Sequence, residues 1–211
     1  MPTLAVSSSH HIFYQEDDFT DPWENKPTIV LQHGNGRNSG FWYRWIPFLS
    51  GHFRVIRPDM RGVGQSSKFP VSQITIEACL EDLVKIITTT CSGPVYFCGE
   101  SMGGILGIIL AAEYPKLIQS LTLIATPVYI NDSMKEKYAL GYSSRLEAMK
   151  SMGIKEWVRQ TSIMTRFPPE TDPQLINWYV DEFAKGNPET LIRYSELVSN
   201  AHALQFLSKI S

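Results

Sequence analysis

Cysteine is scarce in this sequence: three thiols, Cys79, Cys91 and Cys98, in 211 residues. They form neither a repeated C-x-x-C pattern nor an even disulfide framework. That excludes a zinc ribbon and a disulfide-stapled scaffold, and the expectation is reduced core thiols in an intracellular, cytoplasmic protein. Long hydrophobic runs are missing too. The nearest is Ile105-Leu106-Gly107-Ile108-Ile109-Leu110-Ala111-Ala112, followed at once by Glu113. It falls far short of the roughly 20 apolar residues that a bilayer demands. It reads as a buried helix, and no membrane partner is expected. Met1-Pro2-Thr3-Leu4 lacks both the basic and the apolar segments of a secretory signal. Charge of one sign is not in excess: 19 basic against 21 acidic residues give a formal charge of -2. No dense Lys/Arg run offers a footprint for a phosphate backbone, so nucleic acid is not an expected partner.

What is present suits a soluble globular chain of one main domain, with 43% hydrophobic and 19% charged residues and room for one large core plus a smaller lobe. His11-Ile12-Phe13-Tyr14-Gln15 reads as an edge strand before an acidic turn. Thr28-Ile29-Val30-Leu31-Gln32 is the first firm strand and runs into a glycine-rich loop. Residues 41–49 are apolar enough for a helix packed on a sheet, and Arg54-Val55-Ile56-Arg57 is a strand stopped by Pro58-Asp59. Ile76, Leu80, Leu83, Val84 and Ile87 recur at helical spacing. Val95-Tyr96-Phe97-Cys98 is another strand, residues 102–112 another helix, and Leu121-Thr122-Leu123-Ile124-Ala125 a further strand. Three successive strand-to-helix transitions predict an α/β fold, a doubly wound and mostly parallel sheet. From about residue 131 to 200 the elements read as helices, with a capping box expected at Ser133 and Glu136 and caps followed by proline at Asp172-Pro173 and Asn187-Pro188. The division is residues 1–127 as the N-terminal part of the core, 128–200 as an inserted helical lid, and 201–211 as the start of a return to the core.

The sharpest motif is Gly99-Glu100-Ser101-Met102-Gly103-Gly104, a G-x-S-x-G sequence between a predicted strand and a predicted helix. A sharp turn there projects the Ser101 hydroxyl, the flanking glycines permit close chain approach, and the helix start aims free N-H groups at developing negative charge. The bland alternative is a serine in an ordinary turn. His33-Gly34-Asn35-Gly36, after the Thr28 strand, can place the Asn35 N-H opposite that of Met102 as two donors for an oxyanion. In this reading the Asn35 side chain is dispensable, and His33 organises the loop with Gly34 rather than serving as a base. A rival reading takes Gly34-x-Gly36-x-x-x-Gly40 with Asp59 as a dinucleotide fingerprint; its spacing is imperfect and it leaves Ser101 unexplained. No organic cofactor and no metal are expected.

On these motifs, together with Arg57-Pro58-Asp59-Met60-Arg61-Gly62-Val63-Gly64-Gln65-Ser66, the chain resembles the α/β-hydrolase fold superfamily, in particular lid-bearing esterases and lactonases similar to 3-oxoadipate enol-lactonases. The resemblance covers most of residues 28–126. It implies Ser101 as nucleophile and a structural role for Asp59 in its loop. It also implies hydrolysis of a small or medium ester or lactone with an apolar part, held near Phe41, Trp42, Tyr43, Trp45 and the lid, although core packing suits several of these aromatics better.

The family order is nucleophile, acid, then histidine, the last two on loops after late strands beyond the lid. Here the only histidine after Ser101 is His202, at the far end of the lid, which does not match that position. Asp132, Asp172 and Asp181 read as two helix caps and a solvated side chain. Acid and base are therefore expected to be absent from these 211 residues and the late strands missing, as in a C-terminally truncated form with little activity. A non-catalytic ligand-binding or interaction fragment is the alternative, and self-association through an exposed core edge is expected.

Overall fold

The strands are short β-branched or apolar runs, and the central ones, β3, β4 and β5, lie where side-chain alternation buries both faces. The computed structural model describes residues 2–210. Among them the strands are β1 (Thr3–Ala5), β2 (His11–Asp17), β3 (Thr28–Gln32), β4 (Arg54–Pro58), β5 (Val95–Glu100) and β6 (Ile118–Ile124). They form one six-stranded sheet in the order β1-β2-β4-β3-β5-β6. β3 pairs in parallel with β4 and β5, and β5 with β6, while β1–β2 and β2–β4 are antiparallel. The fold is α/β with a mostly parallel sheet.

Alternation assigns the faces. Val30, Ile56 and Phe97 point into the main core beside two helices, α2 (Ile76–Thr90) and α3 (Met102–Glu113). Their neighbours Leu31, Val55 and Cys98 point the other way, against Trp42, Ile46 and Leu49. Thr75 caps α2 by accepting from the Ala78 N-H at 3.1 Å. Helix α3 is buried along most of its length, as its unbroken apolar run requires, and among the described residues no helix is long and apolar enough to cross a membrane.

Two expectations need correction. The His11 segment is an inner strand: β1, three residues long and too short to announce itself, takes the edge position. Residues 41–49 do not make one helix but a 3-10 turn (Ser39–Trp42) and a single α turn, α1 (Ile46–Leu49). Pro47 has no N-H to continue a helix begun at residue 41 and would collide with the preceding turn, so the helix restarts with proline in its first turn. Tyr43, Trp45 and Phe48 are left exposed as a result.

Beyond β6 lie α4 (Asp132–Ala139), α5 (Arg145–Met152), α6 (Ile154–Thr165), α7 (Pro173–Ala184) and α8 (Pro188–Asn200). The expected capping box is absent. Asn131 caps α4 by accepting from the Met134 N-H at 2.9 Å, which makes Asp132 the first helical residue rather than the cap. Asp172 and Asn187 do cap α7 and α8. These helices own a second core around Trp157, Val158, Val180 and Phe183. α8 joins the two cores: Leu191 sits in the helical one, Tyr194 and Val198 in the main one. The Tyr194 hydroxyl donates to the Arg61 carbonyl at 2.9 Å and Arg193 Nε to the Ile74 carbonyl at 3.0 Å. A final 3-10 segment (Leu204–Lys209) turns Phe206 and Ile210 back onto the main core. Met1 and Ser211, the outermost residues of the first and last expected segments, lie outside the described residues.

Candidate active site

The carboxyl end of β5 turns into α3 within one residue, and that residue is Ser101. Its backbone sits at φ 54, ψ -114, in a region that side chains avoid. Three bonds hold it there: its N-H donates to the Ile124 carbonyl at 2.9 Å, and its own carbonyl accepts from the Gly104 and Ile105 N-H groups at 3.0 and 3.1 Å. Ala125, the next residue after that β6 carbonyl, also has positive φ, at 45°.

Glycines set the spacing around this turn. A Cβ on Gly103 would strike the Gln32 carbonyl oxygen and lie 2.7 Å from that of His33, both in the strand and loop opposite. One on Gly34 would strike the Glu100 carboxylate and lie 2.9 Å from the Ser101 Cβ, and one on Gly99 or Gly104 would strike Gly103 or Thr126. The elbow and the loop after β3 therefore approach as closely as backbone allows, which is what a sequence rich in glycine at both places achieves.

That loop is tied down from several sides. His33 is buried; its Nε2 accepts from the Met60 N-H at 3.0 Å, so the proton is on Nδ1, which lies 2.9 Å from the Gly34 carbonyl and donates to it. Burial lowers its pKa, against the pull of nearby Asp59. With both ring nitrogens engaged, His33 has none left for Ser101. Asp59 is likewise consumed: Oδ1 accepts from the Ser39 N-H at 2.6 Å and Oδ2 from the Gln65 N-H at 2.8 Å. Gly64, at φ 56, is glycine because a Cβ would strike that carboxylate. An acid so engaged cannot hold a ribose, and the glycine loop enters a four-residue 3-10 turn rather than a helix, so the dinucleotide reading has no site.

Asn35 and Ser101 line one small cavity of about 60 Å³, with Ala125, Pro127, Ile130, Met134, Tyr138, Val198 and three arginines, Arg37, Arg145 and Arg166. Among the described residues, neither the Asn35 nor the Met102 amide N-H donates to any protein acceptor. The Asn35 side chain turns away, donating to Ser195 Oγ on α8 at 2.9 Å. Glu100 lies 3.1 Å from Arg37 Nη1, without the alignment of a hydrogen bond, and links the elbow to the same loop.

The remaining histidine and acidic groups beyond the elbow, and the aromatics before β4, lie elsewhere. His202 is exposed and stacks on Tyr129, with ring centroids 5.8 Å apart. Among the described residues no histidine borders the Ser101 cavity, and no aspartate or glutamate does. Asp132 and Asp181 pair with Lys135 and Lys155 on the surface, the latter at 2.7 Å. Phe41, Trp42, Tyr43 and Trp45 do not line the cavity: Phe41 packs on Trp178 and Tyr179, and Trp42 in the core. Sequence reasoning missed the three arginines. They are scattered over 129 positions of sequence (166 minus 37), and only the folding of α4–α6 over the elbow gathers them.

Comparison with known proteins identifies the fold. The family model described as alpha/beta hydrolase fold matches residues 27–196. The provisionally named carbamate hydrolase RutD of Agrobacterium fabrum is 35% identical over 135 residues, 63% of this chain and 49% of that protein. The 3-oxoadipate enol-lactonase 2 of Acinetobacter baylyi is 25% identical over 190 residues, 89% of this chain and 68% of that protein. The crystal structure of the enol-lactonase from Burkholderia xenovorans LB400 superposes with a TM-score of 0.81 at 26% identity, covering 100% of this chain and 78% of that one. The chain spans about half the length of the first curated relatives it matches. With a strained serine between strand and helix, a loop pressed against it and a family match across 27–196, this chain belongs to the alpha/beta hydrolase fold family.

Proposed function

We propose that the protein is a serine hydrolase that opens small esters or lactones through an acyl-enzyme on Ser101. The observation that supports this most directly is a strained serine lining a cavity, together with two amide N-H groups, Asn35 in the facing loop and Met102 next in sequence, that have no protein acceptor. Free N-H donors, one in the loop after β3 and one at the start of α3, stabilise the oxyanion and cost no reorganisation when charge develops. In the cycle, Ser101 Oγ bonds to the carbonyl carbon and yields its proton to a general base, a group not found among the described residues that line the cavity. The two amides hold the oxyanion. The leaving oxygen takes the proton, and water then releases the acyl group. Residues 128–200 act as a lid in this reading, since Met134, Tyr138, Arg145 and Arg166 reach the cavity from that segment. The named activities of the relatives, carbamate hydrolysis and enol-lactone hydrolysis, are both hydrolyses at a carbonyl carbon, which suits the same arrangement.

A second reading is a non-catalytic ligand-binding protein. One observation favours it: among the described residues no imidazole borders Ser101 to take its proton. Hydrolysis assays with short acyl esters and lactones separate the two. For the enzyme, Ser101→Ala lowers kcat about 1,000-fold or more. Equal turnover in both proteins contradicts the serine mechanism, and ester binding without turnover in either favours the second reading.

A further inference from the structure

The carboxamide of Asn35 is buried and reaches across 160 positions of sequence to Ser195, itself fully buried on α8. Nδ2 donates to the Ser195 Oγ at 2.9 Å, while Oδ1 has no hydrogen-bond partner among the described residues. As packing alone this pair is a poor choice. Two apolar side chains of the same shape would fill the space and leave no buried oxygen unpaired. What a hydrogen bond adds is direction. The side chain and the amide nitrogen of Asn35 share one Cα, so holding the carboxamide on Ser195 also restricts where the Asn35 N-H can point.

Helix α8 is itself tied to the core. Tyr194, the residue before Ser195, bonds to the Arg61 carbonyl, and Arg193 to the Ile74 carbonyl, so the loops after β4 and before α2 both fix the helix. Val198, one turn further on, lines the cavity beside Asn35 and Ser101. The helical layer also grips the next loop residue: Gly36, at φ 72, packs so closely on Phe183 of α7 that a Cβ there would strike the ring. From the core side, the Arg37 N-H donates to the Gly34 carbonyl and Arg37 Nη1 to the Asn35 carbonyl, each at 3.3 Å. The loop after β3 is therefore held by its own arginine on one side and by α7 and α8 on the other. Asn35 is where the two sets of contacts meet.

We propose that Ser195 is a positioning residue: through the Asn35 carboxamide, α8 orients the Asn35 N-H toward the Ser101 cavity, and this oxyanion donor is in place only while α8 is seated on the core. This rests on the serine hydrolase reading and adds a residue to it. It also reverses the expectation that the Asn35 side chain is dispensable. Ser195 does not line the cavity and acts through Asn35 alone. The second donor, the Met102 N-H, starts α3 and does not depend on α8, so loss of the Asn35–Ser195 bond loosens one donor of two. Its effect is then smaller than the hundredfold or more that follows outright removal of a donor.

Nitrogen-15 relaxation reads the loop directly. The Asn35 amide is expected to have an order parameter of about 0.85 in the wild-type protein and below about 0.6 in Ser195→Ala. Asn35→Leu removes the same bond from the other side at similar volume and is expected to do the same, so the test survives if one variant fails to fold. Ser199→Ala is the control: its Oγ donates to the Ser195 carbonyl at 2.8 Å within α8, and the Asn35 amide is expected to stay ordered. Calorimetric binding of phenylboronic acid reads the consequence. Affinity is expected to fall about tenfold in Ser195→Ala and in Asn35→Leu, no further in the two combined, and less than about twofold in Ser199→Ala. An Asn35 amide that stays ordered in both variants overturns the proposal. So do unchanged boronate affinities, losses that add in the double variant, or an equal loss in Ser199→Ala. If the wild-type protein binds the boronic acid no better than Ser101→Ala does, the serine reading falls and the oxyanion role of Ser195 with it, whereas the order parameters still decide whether α8 holds the loop.

Discussion

Single residues carry opposed demands at the elbow. Ser101 occupies a backbone region that costs a side chain about 1–3 kcal/mol, whereas glycine adopts it freely. Ser101→Gly is therefore expected to remove hydrolysis while raising stability by about 1 kcal/mol, read from chemical denaturation. A loss of stability would show that the φ of 54° is not a strain on the fold. His33 gives a pH signature. Its buried ring has a lowered pKa, so as pH falls through the ordinary value of 6.5 the unfolded chain takes up a proton that the folded ring refuses. Stability must then fall as pH drops below about 6.5, and His33→Gln is expected to flatten that slope. An unchanged slope in the variant would place the effect on another group. The thiols differ by burial. Burial pushes Cys79 up to about 12 and Cys98 to about 11, and raises Cys91 as well, but Cys91 alone of the three is only partly buried. Iodoacetamide at pH 8 is expected to label Cys91 first in the native protein; Cys79 or Cys98 labelling first would contradict the burial assigned to them.

At the scale of elements, the parallel strands were legible because each is a self-contained pattern. β3 begins and ends where the β-branched run does, and α3 where the apolar run does. β1 and the broken helix before β4 were not legible in that way. Three residues carry no period, and the effect of Pro47 depends on where the helix tries to start. The elbow could be read from five residues in a row, while the arginine cluster could not be read at all, because its members lie on the β3 loop, at the start of α5 and at the end of α6. Long-range pairs were equally silent: Asp82 is buried on α2 only because both of its oxygens accept from Arg61, each at 2.7 Å. Breaking one side leaves the other buried and unpaired, so Asp82→Asn is expected to cost about 3–5 kcal/mol of stability, more than Arg61 and Asp82 replaced together by apolar residues. α8 is the element on which the two cores depend. Tyr194→Phe, which leaves the buried Arg61 carbonyl without its donor, is expected to destabilise by about 1–3 kcal/mol and to loosen residues 128–200 first in hydrogen exchange.

The whole molecule combines a sheet that presents Ser101, a glycine-built contact that brings the β3 loop against it, and a helical layer that closes a cationic cavity over both. β6 lies at one edge of the sheet, with Leu123 exposed. An edge of this kind pairs readily with another chain. Association in sedimentation velocity is expected to rise with concentration and to weaken in Leu123→Lys; a monomer at every concentration would contradict it. The account depends most on the proposed oxyanion role of the Asn35 and Met102 amides, and a boronic acid tests it without asking which group takes the proton. In a crystal of the protein soaked with phenylboronic acid, boron is expected to bond to Ser101 Oγ, with one boronate oxygen accepting from both the Asn35 and the Met102 N-H groups. Boron bonded elsewhere, or those two N-H groups turned to protein carbonyls, would contradict the account.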